Sequence, residues 1–141
     1  MAEALLRAAL QKAGGGLEKL KVASLGLAAT PGNGASLHSI KAMQRIGLDL
    51  QRHRSRGITQ ADIDSSYVIF GMTESHLDAL RQRFHRLPKH VMLLRDVLPE
   101  TEIRAVPDPF GGSYGDYEEC RDSMIEAIPG IVEFLKKNLL S

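Results

Sequence analysis

The sequence has no tryptophan and one cysteine, Cys120. A single thiol excludes a disulfide framework within the chain and fits a reducing, cytoplasmic setting. Aromatic residues are few, at 5%. There is no excess of charge of one sign: the formal net charge is +1, which makes no global case for nucleic acid or an anionic membrane as partner. The two basic stretches, QRHRSRG (51–57) and RQRFHRLPKH (81–90), read as solvated faces. No apolar run approaches the roughly 20 residues of a membrane span, and the N-terminus does not read as a signal peptide. Internal repeats and low-complexity segments are absent. So is the Lys-Ser/Thr of a Walker loop. The five histidines, at 38, 53, 76, 85 and 90, form no i, i+4 pair and no zinc spacing, so no metal is expected.

What is present is an ordinary soluble composition, 43% hydrophobic and 25% charged in 141 residues, enough for one domain spanning 1–141. MAEALLRAALQKA (1–13) has helical apolar spacing and is stopped by three glycines. LKVAS (20–24) reads as a short strand, and YVIFGM (67–72) and HVMLL (90–94) as buried strands. Ser36, Thr59 with Asp62, and Thr73 are placed to cap helices. The helix after Thr73 is expected to carry Leu77, Leu80, Phe84 and Leu87 and to close at Pro88. Asp116 and Glu119 read as a further capping pair. They open a last helix whose stripe is Met124, Ile125, Ile128, Ile131, Val132, Leu135 and Leu139, with a kink or break expected at Pro129-Gly130. Helices alternating with buried strands argue for an α/β fold with a parallel sheet between helices.

One carboxylate stands out. In PDPFGGSYGDYEE (107–119), two prolines stiffen the backbone around Asp108 and present it on a loop. An acid so placed needs a nucleophile to work with, and spacing alone offers none. Cys120 is surrounded in sequence by Glu118, Glu119 and Asp122, which raise a thiol pKa, so it reads as structural.

PDPFGGSYGDYEE resembles the general-acid loop of the low-molecular-weight protein-tyrosine phosphatase family. MAEALLRAAL resembles that family's first helix, which follows the phosphate loop as Cys-x5-Arg-Ser-Pro-Met-Ala-Glu-Ala. VASLG (22–26), GLDLQRHRSRGIT (47–59) and YVIFGMTESH (67–76) are similar to further family segments in the family order. The resemblance implies a three-layer α/β sandwich with strand order 2-1-3-4. LKVAS, YVIFGM and HVMLL would be strands 2, 3 and 4, with the central first strand and the Cys-x5-Arg loop missing from this sequence. It implies a Cys-phosphate intermediate, Asp108 as general acid and base, and Phe110 as the aromatic wall of the substrate pocket. Ser24 and His53 would support the phosphate loop. A phosphorylated protein is the implied substrate, as a phosphotyrosine or phosphoarginine. No cofactor is expected, and phosphate-like anions would bind only with the loop restored. Phe110 is followed by Gly111, where some members carry a second aromatic, and DPFGGS with Tyr117 is nearest the bacterial protein-arginine-phosphatase subgroup. Three readings stay open: a phosphatase that has lost its N-terminal loop and is inactive as given, a nucleophile-less binding or regulatory module, and an unrelated small α/β protein. A sheet lacking its central strand is expected to be marginally stable and to self-associate through its edges.

Overall fold

The computed structural model describes residues 1–26, 35–54, 56–98 and 103–139. Along these residues run α1 (Ala2–Ala13), a 3-10 turn (Leu17–Lys19), α2 (Leu37–Gln44), α3 (Gln60–Asp64), β1 (Val68–Gly71) and α4 (Glu74–Arg83). Then come β2 (His90–Leu93), a second 3-10 turn (Leu94–Val97) and α5 (Tyr114–Leu139).

β1 and β2 pair in parallel, with Val68 opposite His90 and Gly71 opposite Leu93. Side chains alternate across a strand, so each strand feeds two layers. Val68, Phe70 and Met72 pack on the core formed with α1 and α5. His90 points the same way and meets the Phe134 ring of α5 edge-on, with centroids 5.2 Å apart. Gly71 faces α4 instead, where Leu77 comes close above it. The result is the expected α/β arrangement, a short parallel sheet flanked by helices. α5 is its spine: Met124, Ala127, Ile131 and Leu135 are buried against Leu5 and Leu10 of α1, Leu17, Met43 of α2, Leu94 and Val106.

The local start signals act as the sequence implies. Ser36 Oγ accepts from the Ser39 N–H, Thr59 and Asp62 form a reciprocal capping box, and Thr73 accepts from the His76 N–H. Four expectations need correcting. LKVAS forms no strand. A strand needs a hydrogen-bonded neighbour, and among the described residues 20–24 have no ladder partner; the nearby bridge, Gly26 with Gly57, lies just past them. Side chains of α1 take its backbone groups instead: Arg7 donates to the Val22 carbonyl at 2.7 Å, and Glu3 accepts from the Ser24 N–H at 2.7 Å. The helix after Thr73 ends at Arg83 rather than at Pro88, because Phe84 is extended, with φ −125° and ψ 133°. The cap of α5 lies one frame earlier than expected. The Ser113 N–H donates to Asp116 Oδ2 at 2.9 Å and the Asp116 N–H returns a bond to Ser113 Oγ at 3.2 Å.

The fourth correction is at Pro129-Gly130, where of the expected kink or break the break does not occur and α5 continues as one helix. Pro129 removes the donor that would reach the Ile125 carbonyl, and Ile125 is 37% exposed rather than on the buried stripe, so water can satisfy that oxygen. Gly130 has a separate task. A Cβ there would lie 2.9 Å from Val97 Cγ2 and 3.1 Å from the Val97 carbonyl oxygen, so its absence lets the second 3-10 turn seat directly on α5.

Two buried arginines fasten the elements that carry the site. Arg95 donates from Nε to the Ile103 carbonyl at 2.9 Å and from Nη1 to the Ser123 carbonyl at 2.7 Å, joining the loop after residue 103 to α5. Arg121 on α5 donates to the Ala42 carbonyl at 2.8 Å, at the C-terminal end of α2 where carbonyls lack helical partners.

Candidate active site

The loop from 103 to 113 is held at both ends. At its start, the Val106 N–H donates to the Met72 carbonyl just past β1 at 2.7 Å, and the Val106 side chain is fully inside. At its end, the Ser113–Asp116 pair launches α5. Between them the chain reverses through Pro109, Phe110, Gly111 and Gly112, closed by a bond from the Gly112 N–H to the Pro109 carbonyl at 2.8 Å. Gly111, the third residue of that turn, has φ +81°, which disfavours any side chain. Gly112 is excluded from substitution by space instead. A Cβ there would fall 2.5 Å from Asp116 Oδ2 and 2.9 Å from the Pro109 carbonyl oxygen. The motif PDPFGGS-x-x-D is thus one mechanical unit: turn, tight approach and helix cap.

That unit presents two side chains. Asp108 Oδ1 accepts from the Phe110 N–H at 3.0 Å, an Asx turn that orients the carboxyl group. Phe110 is 85% exposed and stands at the rim. Both line a cavity of about 320 Å³ together with Ser36 and Ser39 of α2, His76 of α4, and Tyr117 and Cys120 of α5. Of the residues singled out in the sequence, Asp108 and Phe110 share this cavity. Ser24 and His53 do not line this cavity. Ser24 is exposed, its N–H and hydroxyl both on Glu3 of α1. His53 is half-buried, with its N–H on the Leu50 carbonyl.

Cys120 is the residue whose position sequence reading missed. It sits in the wall of the Asp108 cavity. Its thiol pKa is raised, but the causes differ from the acids beside it in sequence: burial comes first, and Asp108 adds to it, with the Met1 ammonium opposing. Burial likewise lowers the Met1 α-amino group, while Cys120 and Glu3 act to raise it. A buried thiol facing a carboxylate is protonated at neutral pH and a poor nucleophile. Among the described residues the lining holds no lysine or arginine that could grip a phosphoryl oxygen. Among the described residues no group of three or more His, Cys, Asp or Glu is gathered as a metal site requires. The arrangement sets the Asp108 carboxyl group in one cavity with the Phe110 and Tyr117 rings and the protonated Cys120 thiol.

Comparison with known proteins places this geometry. The family model described as low molecular weight phosphotyrosine protein phosphatase matches residues 1–140. A curated protein-arginine-phosphatase of Bacillus subtilis is 29% identical over 138 residues, covering 98% of this chain and 89% of that protein. The low molecular weight protein-tyrosine-phosphatase PtpB of Staphylococcus epidermidis is 27% identical over 110 residues, covering 78% of this chain and 76% of its own. Among solved structures, the arginine phosphatase YwlE, determined as a mutant with a phosphorylated active site serine, superposes with a TM-score of 0.85 at 28% identity. That match covers 98% of this chain and 88% of the other.

Proposed function

The chain belongs to the low molecular weight phosphotyrosine protein phosphatase family, and from that premise we propose that Asp108 is the general acid and base of a protein-phosphatase site, with phosphoarginine as its substrate group. The observation that carries the reading is the Asp108 carboxyl group, locked by the Phe110 N–H and aimed into a cavity walled by Phe110 and Tyr117. In such a site a thiolate attacks phosphorus, the bond to the leaving nitrogen or oxygen breaks, and Asp108 gives that atom its proton. In the second step the Asp108 carboxylate takes a proton from water, whose oxygen attacks the phosphocysteine and frees the thiolate and phosphate. Phosphoarginine over phosphotyrosine is supported by the names of the two relatives with 29% and 28% identity, both protein-arginine-phosphatases, and by the open space at Gly111, against the tyrosine-phosphatase name of PtpB at 27%.

The thiolate is expected from a Cys-x5-Arg loop. The 141 residues contain no such motif, since the residue six places after Cys120 is Glu126. We propose that these residues alone do not turn over, and that Ser24 and His53 act only once such a loop is present. In support, Ser24 is bonded to the first turn of α1, where a phosphate loop leading into that helix would end. A second reading, a nucleophile-less phosphatase-like binding or regulatory module, is favoured by the burial of Cys120 in the cavity wall, which raises its thiol pKa.

The test compares two proteins. The chain as given should not hydrolyse a phosphoarginine or phosphotyrosine peptide. With a family Cys-x5-Arg segment joined ahead of residue 1, phosphoarginine hydrolysis should appear and fall by about 10²–10⁴ in kcat on Asp108→Asn. Turnover by the chain as given, or indifference to Asp108→Asn, would overturn the assignment.

A further inference from the structure

A second, larger cavity lies on the other side of the Tyr117 wall. It measures about 570 Å³, within the roughly 300–1,000 Å³ of sites that take small ligands or a few residues of peptide. Its lining is His38, Lys41, Gln44 and Arg45 from α2 and Tyr114 from α5. That lining holds two permanent cations and no carboxylate.

The two cavities are built by the same pair of helices. Ser36 and Ser39 of α2 and Tyr117 of α5 line the Asp108 cavity, while His38, Lys41 and Arg45 of α2 and Tyr114 of α5 line this one. The His38 ring is the partition, 5.3 Å from the Tyr117 ring and 5.9 Å from the Tyr114 ring. Its Nδ1 is buried with no hydrogen-bond partner among the described residues. Arg45 lies 5.8 Å from the Tyr114 ring centroid, which holds the guanidinium at the cavity edge.

The electrostatic balance leaves this surface positive. Glu118 is the nearest counter-charge, but it is shared between Arg45 at 3.6 Å and Arg121 at 3.8 Å. Arg121 also takes Asp122 at 2.9 Å. Lys41 is exposed and has no ion-pair partner among the described residues.

We propose that this cleft is a subsite for an acidic side chain of the protein substrate, a glutamate or aspartate flanking the residue that enters the Asp108 cavity. The proposal rests on the phosphatase reading for what occupies the neighbouring cavity. A bare anion would leave most of the cleft empty, whereas a peptide crossing the His38 partition fills both cavities. Along α2, the midpoint of Ser36 and Ser39 lies about five or six positions before that of Lys41 and Arg45, or about 8 Å at 1.5 Å per residue. An extended peptide covers about 3.3 Å per residue, which puts the acidic residue two or three positions from the reacting one.

Binding can be followed on the unmodified chain without any turnover, so failure of the phosphatase reading would not affect the result. Unphosphorylated peptides carrying two glutamates, two glutamines or two lysines are titrated into isotope-labelled protein, and amide shifts are recorded. The glutamate peptide should move residues 38–45 and Tyr114, saturably, and more weakly at high salt. Lys41→Glu with Arg45→Glu should weaken that binding about ten-fold, since each exposed pair is worth up to about 1 kcal/mol before repulsion is added. Lys12→Glu, half that change of charge at an exposed residue of α1 outside the cleft lining, should leave it within about two-fold. Equal shifts from the glutamine peptide, equal loss in Lys12→Glu, or no saturable shift would overturn the proposal. So would shifts reproduced at the same affinity by inorganic phosphate or by a short single-stranded oligonucleotide. Should the double variant unfold, the salt dependence and the glutamine comparison on the unmodified chain decide the matter.

Discussion

Adjacent glycines at 111 and 112 should fail on substitution for different reasons, and a double-mutant cycle with Asp116 separates them. Removing the Asp116 carboxylate costs the bond to the Ser113 N–H, about 1 kcal/mol for an exposed cap. In Gly112→Ala the new Cβ stands 2.5 Å from Asp116 Oδ2, so the carboxylate must leave and the same bond is lost. The Cβ also presses on the Pro109 carbonyl oxygen at 2.9 Å, loosening the turn bond, for about another 1 kcal/mol. Gly112→Ala alone should therefore cost about 2 kcal/mol, and adding Asp116→Ala should cost little more, giving a coupling of about 1 kcal/mol. Gly111→Ala has nothing within 4 Å of its Cβ and suffers only from φ +81°, about 1–2 kcal/mol. It should add to Asp116→Ala in full, and Gly111→Asn should be milder than Gly111→Ala. Denaturant midpoints at unchanged slope give all six values. Hydrogen exchange should show residues 113–117 opening more readily in Gly112→Ala. Full additivity of Gly112→Ala with Asp116→Ala, or coupling at Gly111, would refute the steric assignment.

Three further outcomes follow from the packing and the titrating groups. Gly130→Ala gains about 1 kcal/mol of helix propensity but drives a methyl into Val97, an overpacking cost of about 1–3 kcal/mol, so a net fall in melting temperature is expected; a rise would show that the turn yields freely. Asp62 is held at about 2 by Arg56 first, then by the Thr59 N–H and hydroxyl. Because the folded value is depressed, its contribution is complete above the unfolded value of about 4 and is lost as pH falls through about 2. The stability gap between the unmodified chain and Asp62→Asn should shrink over that window in denaturation curves, and a gap constant with pH would count against it. Cys120 should be alkylated more slowly by iodoacetamide at pH 8 in the folded chain than in denaturant, as mass spectrometry can follow; faster reaction when folded would mean an activated thiol.

What the sequence determined by itself is what depends on neighbours in the chain. Ser36, Thr59 with Asp62, and Thr73 start helices because a cap is a bond to a backbone N–H two or three residues on. The apolar runs at 68–71 and 90–93 are strands because continuous hydrophobicity suits a strand covered on both faces. The stiff loop that presents Asp108 and Phe110 was legible because its prolines, glycines and following cap form one short motif. The tertiary structure decided the rest. LKVAS has the composition of a strand, but pairing is a property of two segments, and side chains of α1 took its backbone groups. Cys120 reads from its neighbours as a helix cysteine among acids, yet its pKa is set by burial and by Asp108, twelve positions away in sequence. The cationic cleft joins Lys41 and Arg45 to Tyr114 across some seventy residues, through the packing of α2 on α5 and the Arg121 bond to Ala42. No local pattern encodes that proximity, because it arises only when the two helices bury their apolar stripes in the same core.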